Sequence, residues 1–195
     1  MPDTNITEVS RERWQNAQEW ERNIWIQDQI NRSKFGKNLI WPILSFLGLK
    51  PKFRGDDWNC WWKQQFDEYE FLPKTVDNAI ELGCGPYTNM RLITEQCQPK
   101  HLVLSDPLIM TYIHFKSTFL SHMYHQGLCV VDNHPIEEIP FKDNYFNLTV
   151  MINVLDHVQD AELSISNTIR ITKPGGTIII GNELTNVDDL ESMQN

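Results

Sequence analysis

An acidic residue closes an apolar run at Ile80-Glu81-Leu82, and two closely spaced glycines, Gly83 and Gly85, follow at once. This order of residue types suits a strand-to-helix turn against which a nucleotide-like ligand can lie. Glycine lets the backbone turn sharply and approach a ligand with no Cβ in the way. Glu81, at the carboxyl end of the strand, can accept hydrogen bonds from a sugar or an amine. Asp106 ends a second apolar run, Leu102-Val103-Leu104-Ser105, and lies 21 positions after Gly85, where a carboxylate can take a ribose hydroxyl pair. A nicotinamide-dinucleotide fold is the competing reading of the turn. It asks for Gly-x-Gly-x-x-Gly, and position 88 is Thr88.

Other reactive residue types are sparse. The four cysteines, Cys60, Cys84, Cys97 and Cys129, form no Cys-x-x-Cys pair and no disulfide framework, so reduced thiols are expected. Cys84 lies inside the glycine turn, where a small residue packed beside a ligand is the simpler reading than a nucleophile. His122 and His125 are three apart and could share a helix face, but no third ligand stands at a suitable spacing, and no metal site is expected.

These residues need a scaffold that brings strand ends together. From Val76 onward short β-rich runs alternate with polar helical stretches, the pattern of βαβ units and a parallel sheet. The runs predict strands near 77–82, 101–106, 128–132, 145–152 and 177–182, and helices near 88–97, 109–125 and 160–172. Glu81, Gly83, Gly85, Asp106, Asp132, Asn133 and Asn153 then all fall at strand ends, where ligands bind in such sheets. Ahead of the turn the composition differs, since all seven tryptophans lie there. Apolar residues between Thr7 and Ile30 recur mostly three to five apart, the period of an amphipathic helix. A second helix begins at Asp57 as its cap, carries Trp58, Trp61, Trp62, Phe66 and Tyr69 on one side, and stops at Pro73. The expected division is residues 1–73 as an aromatic helical cap and residues 74–195 as the ligand-binding domain.

The Ile80–Pro86 turn and Asp106 resemble the first two motifs of class I S-adenosylmethionine-dependent methyltransferases, of the type 11-like kind. Further landmarks follow in the family's order. Residues 140–147 resemble its run into strand four, residues 151–158 the loop after that strand, and Pro174-Gly175-Gly176 its turn into strand five. Two positions depart from the pattern: Tyr87 stands where many members carry a third glycine, and Asn147 where Asp is usual. The resemblance implies a Rossmann-like α/β fold with a mostly parallel sheet, apparently without the last strands six and seven. It implies S-adenosyl-L-methionine as cofactor and methyl transfer to an O, N or C nucleophile of a small molecule. The alternative is a catalytically silent S-adenosylmethionine- or S-adenosylhomocysteine-binding or partner protein.

The contact set implied by the resemblance is Glu81, Gly83, Cys84, Gly85 and Pro86 at the turn, Asp106 and Pro107 after strand two, and Asn153 after strand four. After strand three either Asp132 or Asn133 serves the adenine. No catalytic residue is obligatory, because the sulfonium methyl is already electrophilic. Asp156 and His157, on the loop after strand four, are the candidates for a general base, and a structural role for His157 is the simpler reading. Segments before strand one commonly roof the substrate cleft in this family, which makes the tryptophans candidate substrate contacts.

Composition narrows the partners. The chain has 195 residues, with 41% apolar and 22% charged, enough for one well-packed domain and an appendage. The net charge of −9 is uneven: residues 1–63 carry +2 and the remainder −11. So acidic a catalytic half is a poor partner for nucleic acid, whose binding draws on Lys and Arg. The polar, acidic start is no signal peptide. The apolar run at residues 39–49 has about half the roughly 20 residues of a membrane span, so a cytoplasmic protein is expected. With strands six and seven missing, Thr177-Ile178-Ile179-Ile180 would be an apolar sheet edge, and a homodimer paired there is one way to cover it.

Overall fold

The computed structural model describes residues 9–34, 43, 46–48 and 56–183. Two helices lead, α1 (Arg11–Lys34) and α2 (Asp56–Gln65), followed by β1 (Thr75–Leu82), α3 (Met90–Gln96) and β2 (Gln98–Ser105). Then come α4 (Ile109–Tyr112), α5 (Phe119–His125), β3 (Val130–Asp132), β4 (Phe146–Ile152), α6 (Ala161–Ile171) and β5 (Thr172–Gly181). The five strands form one parallel sheet in the order β3-β2-β1-β4-β5. Successive crossovers run outward from β1 to β3, and the chain then returns to place β4 on the other side of β1. That reversal opens a crevice at the carboxyl ends of β1 and β4.

Side chains alternate across the sheet, as the pleat requires. Ala79, Leu102, Leu104, Leu148 and Val150 join the core on one face with Met90, Ile93 and Tyr112. Ile80, Leu82, Val103 and Met151 join the other with Ile136 and Ile171. Phe146 and Leu148, two apart, nevertheless fall on opposite faces, because the β4–β5 ladder shifts register between them.

Three expectations about the elements need correction. The helix predicted over 109–125 is two helices. Ser117 has a positive φ, and the Thr118 side chain accepts a hydrogen bond from Ser121 N as a fresh N-cap. The Pro174-Gly175-Gly176 turn lies inside β5 rather than before it, as the irregular stretch that separates the Phe146–Thr172 pairing from the Leu148–Thr177 pairing. Helix α2 starts at Asp56 and ends at Gln65 instead of running to Pro73, since Asp67, Glu68 and Tyr69 all take positive φ values. The expected cap at Asp57, the ring of Trp58, and most of the apolar run at 39–49 lie outside the described side chains.

The aromatic stripe is still packed. Trp62 and Phe66 stack at 6.1 Å, Phe66 and Tyr69 at 5.9 Å, and Trp62 and Tyr69 belong to the same buried cluster as Ala79 and Leu104. Among the described residues no helix is long and apolar enough to cross a membrane, and no strand pairs with β5 except β4.

Candidate functional site

The glycine turn after β1 is held from below by Glu81. This side chain is 1% exposed, and its carboxylate accepts from the Asn89 amide (3.0 Å), the Met90 amide (3.1 Å), Asn89 Nδ2 (3.2 Å) and the Thr88 hydroxyl. It thereby supplies the acceptor that the free N–H groups at the start of α3 require. Burial pushes its carboxyl above the usual carboxylate range, and these donors oppose the shift. Glu81 therefore faces inward in this structure, not the cavity where a ligand contact was expected.

Above it, Gly83 and Gly85 both have positive φ, +64° and +53°. A Cβ on Gly83 would meet the methyls of Val154 at 2.6 and 2.7 Å, whereas one on Gly85 would enter open space. Gly83 is thus needed for packing as well as for its backbone, and Gly85 leaves room in front of the turn. Cys84 is buried, and burial holds its thiol well above its usual pKa, with Asp106 and Glu81 adding to the shift. It is a packing residue with no thiolate to offer.

Asp106 follows β2. Its Oδ2 accepts from the Gly85 amide at 3.0 Å and its Oδ1 from the Leu108 amide at 2.8 Å. Burial raises its carboxyl to about 7, the two amides pull it down, and the charges of Glu21 and Glu81 add to the rise.

These residues open onto a cavity of about 650 Å³, ample for a nucleoside-sized ligand. Gly83, Cys84, Gly85 and Pro86 line it, as do Asp106 and Pro107 from β2 and Asn153 from β4. Asn153 takes a positive φ there, accepts from Glu183 N through Oδ1 and donates its amide to Gly181 O. His157 lines the cavity and Asp156 does not. Nor do Asp132 and Asn133. Asp132 accepts from Ser105 Oγ (3.0 Å) and faces His134 Nδ1 (2.8 Å), while Asn133 is exposed. The wall after β3 comes instead from Pro135, Ile136 and Glu137, whose apolar and acidic types carry no spacing signal.

The roof is α1. Trp14 Nε1 donates to His157 O at 2.9 Å, and Val9 N donates to Gln159 O at 2.7 Å, which ties the start of the helix to the loop after β4. Toward its other end the Tyr87 hydroxyl donates to Asp28 (2.9 Å), and the Tyr87 ring packs edge-on to Trp25 at 5.5 Å. Tyr87, conspicuous in the sequence only as a missing glycine, is the latch between roof and turn. Trp14, Trp20 and Trp25 of α1 and Trp62 of α2 all face the cavity. Asn59 of α2 completes the wall, with Nδ2 donating to Tyr87 O (2.9 Å) and Asn89 Oδ1 (3.2 Å).

Several solved structures share the fold. A methyltransferase-like protein from Bacillus halodurans is 16% identical, with a TM-score of 0.53, over 68% of this chain and 55% of that one. YcgJ from Bacillus subtilis is 14% identical, with a TM-score of 0.52, over 65% and 52%. The N-methyltransferase NodS from Bradyrhizobium japonicum, solved with S-adenosylhomocysteine, is 18% identical, with a TM-score of 0.51, over 62% and 60%. This chain thus spans a little over half the length of these proteins. No curated protein matches it significantly. The family model of the methyltransferase domain matches residues 80–180, which run from the glycine turn through β5 and span just over half of the sequence; the chain belongs to the methyltransferase domain family and carries its class I fold.

Proposed function

We propose that this methyltransferase holds S-adenosylmethionine in the cavity under α1, with the ribose hydroxyls on Asp106 and the methionine portion in front of Gly83 and Gly85, and passes its methyl to a small molecule. The observation that carries the reading is the Asp106 carboxylate. It is buried, anchored by two amides, and set in the wall of a cavity that the glycine turn leaves open. Each carboxylate oxygen has a lone pair left for a hydroxyl donor.

When bound, the sulfonium supplies an electrophilic methyl, and an acceptor lone pair displaces sulfur in line with the S–C bond. The chain's own residues then have two tasks, alignment and exclusion of water. The roof of α1 tryptophans serves both, since it closes the cavity over the strand ends with apolar rings. His157, which lines the cavity 4.0 Å from Glu21, is the residue we assign to accept a proton from an acceptor that must lose one.

Calorimetry with S-adenosylhomocysteine tests the reading directly. Binding that is weakened roughly 10- to 150-fold in Asp106→Ala, in a folded protein, is the expected result. Equal binding by that variant would refute the placement of the ribose.

A further inference from the structure

The cavity wall is one-sided in charge. Glu21 and Asp28 of α1, Asp106 and Glu137 all line it, and among the described residues no Lys or Arg does. Glu137 spends one oxygen on the Gln159 and Asp160 amides, and Asp28 accepts from Tyr87. Glu21 accepts from Trp25 Nε1 (3.2 Å) and Tyr112 Oη (3.4 Å), both neutral donors. Among the described residues His157 is the one lining group that can carry positive charge, and it already stands between Glu21 at 4.0 Å and Asp156 at 3.4 Å. Burial chiefly raises the Asp106 carboxyl to about 7, and the charge of Glu21 adds to the rise.

Asn59 also lines the cavity. It is 2% exposed, and its Oδ1 has no hydrogen-bond partner. The amide cannot be turned round, because Nδ2 already serves two acceptors, Tyr87 O and Asn89 Oδ1, and a turned amide would set oxygen against oxygen. A buried acceptor left bare is costly. Trp14, Trp20 and Trp25 in the lining add a second preference, because indole rings attract cations.

From this wall we infer that the methyl acceptor is an amine, drawn in as its ammonium ion by Glu21 and the α1 tryptophans, and that acceptors bearing a phosphate or carboxylate beside the reacting atom are refused. The inference rests on the cavity being the S-adenosylmethionine site. The ammonium gives a proton to the Glu21–His157 pair or to water. Its nitrogen lone pair then forms the C–N bond as the S–C bond breaks, the electron pair stays on sulfur, and the product leaves as the methylated ammonium with S-adenosylhomocysteine.

The test uses the full chain loaded with S-adenosylhomocysteine and three probes of nearly equal shape, 2-phenylethylamine, 2-phenylethanol and phenylacetate, read by calorimetry and tryptophan fluorescence. The amine should bind about tenfold or more tighter than the alcohol, a difference of about 1.4 kcal/mol, and phenylacetate should not bind. Glu21→Gln should bring the amine close to the alcohol while S-adenosylhomocysteine still binds. Trp20→Ala, at a ring 67% exposed and safe for folding, should weaken the amine alone. With S-adenosylmethionine, the amine should yield its N-methyl product by mass spectrometry. If S-adenosylhomocysteine binds but the amine does not, or the alcohol or acid binds as well as the amine, the inference fails and the cofactor reading stands. If S-adenosylhomocysteine itself does not bind, the cofactor reading fails as well.

Discussion

The Asp106 carboxylate accepts a hydrogen bond from the amide of Gly85 at 3.0 Å, across 21 residues of sequence. This one contact joins the end of β2 to the glycine turn after β1, so the carboxylate proposed to take the ribose is tied to the turn proposed to clear space for it. Asp106→Ala removes both the ribose acceptor and this tie. It should weaken S-adenosylhomocysteine by roughly 10- to 150-fold, the worth of a hydrogen bond to a charged group, as calorimetry would show. Circular dichroism guards against loss of fold.

The raised Asp106 carboxyl sets a pH dependence. Only the ionised form offers all its lone pairs to hydroxyls, so affinity for S-adenosylhomocysteine should fall by up to about tenfold per pH unit below about 7. Asp106→Asn should flatten that slope. Stability of the empty protein runs the other way. The folded value lies above the unfolded 3.8, so this group's contribution is fully present below about pH 4 and is lost as the pH rises through about 7. Melting curves across that window should show the loss, and binding of the ligand should offset it.

The two glycines should separate packing from binding. Gly85→Val places its side chain in open space and keeps the fold at a cost of roughly 1–2 kcal/mol for the left-handed backbone. It should abolish S-adenosylhomocysteine binding. Gly83→Val collides with Val154 at 2.6 Å as well, and its melting temperature should fall much further. Equal stability of the two variants would contradict this geometry.

Glu81 should behave as a structural residue. Glu81→Ala strands the Asn89 amide and the Thr88 hydroxyl in the core, while the Met90 amide keeps Thr88 Oγ1 as acceptor, at about 1–3 kcal/mol for a bare buried group. An unfolding free energy lowered by roughly 3 kcal/mol or more is expected from denaturation curves, and Glu81→Gln, which keeps one acceptor, should lie between. A Glu81→Ala protein as stable as the parent would show that other groups hold the turn.

The outer edge of β5 should mediate self-association. Among the described residues β5 pairs only with β4, and Ile180 is 40% exposed. Such edges recruit strands, and a two-fold dimer closes them. Sedimentation at high concentration should reveal a dimer that Ile180→Lys weakens; a strict monomer would reject this.

The parallel sheet and the glycine turn were legible in the sequence because they rest on local rules. Apolar runs with β-rich composition mark strands wherever they pack, and two glycines after an acid mark a sharp turn whatever surrounds it. Asp106 could be placed for the same reason, as the end of its own run. What the tertiary structure decided is which way side chains turn and what lies over them. Glu81 faces inward because the first amides of α3 lacked an acceptor, and Asp132 turns to Ser105 and His134. The break at Ser117 splits one helical pattern into two, and the glycine pair at 175–176 lies within a strand. The roof was visible only as an amphipathic, tryptophan-rich helix. Its seat over the cavity depends on Trp14 meeting His157 and Asp28 meeting Tyr87, contacts 143 and 59 residues apart. No local periodicity encodes such pairings, because they exist only once the chain has closed on itself.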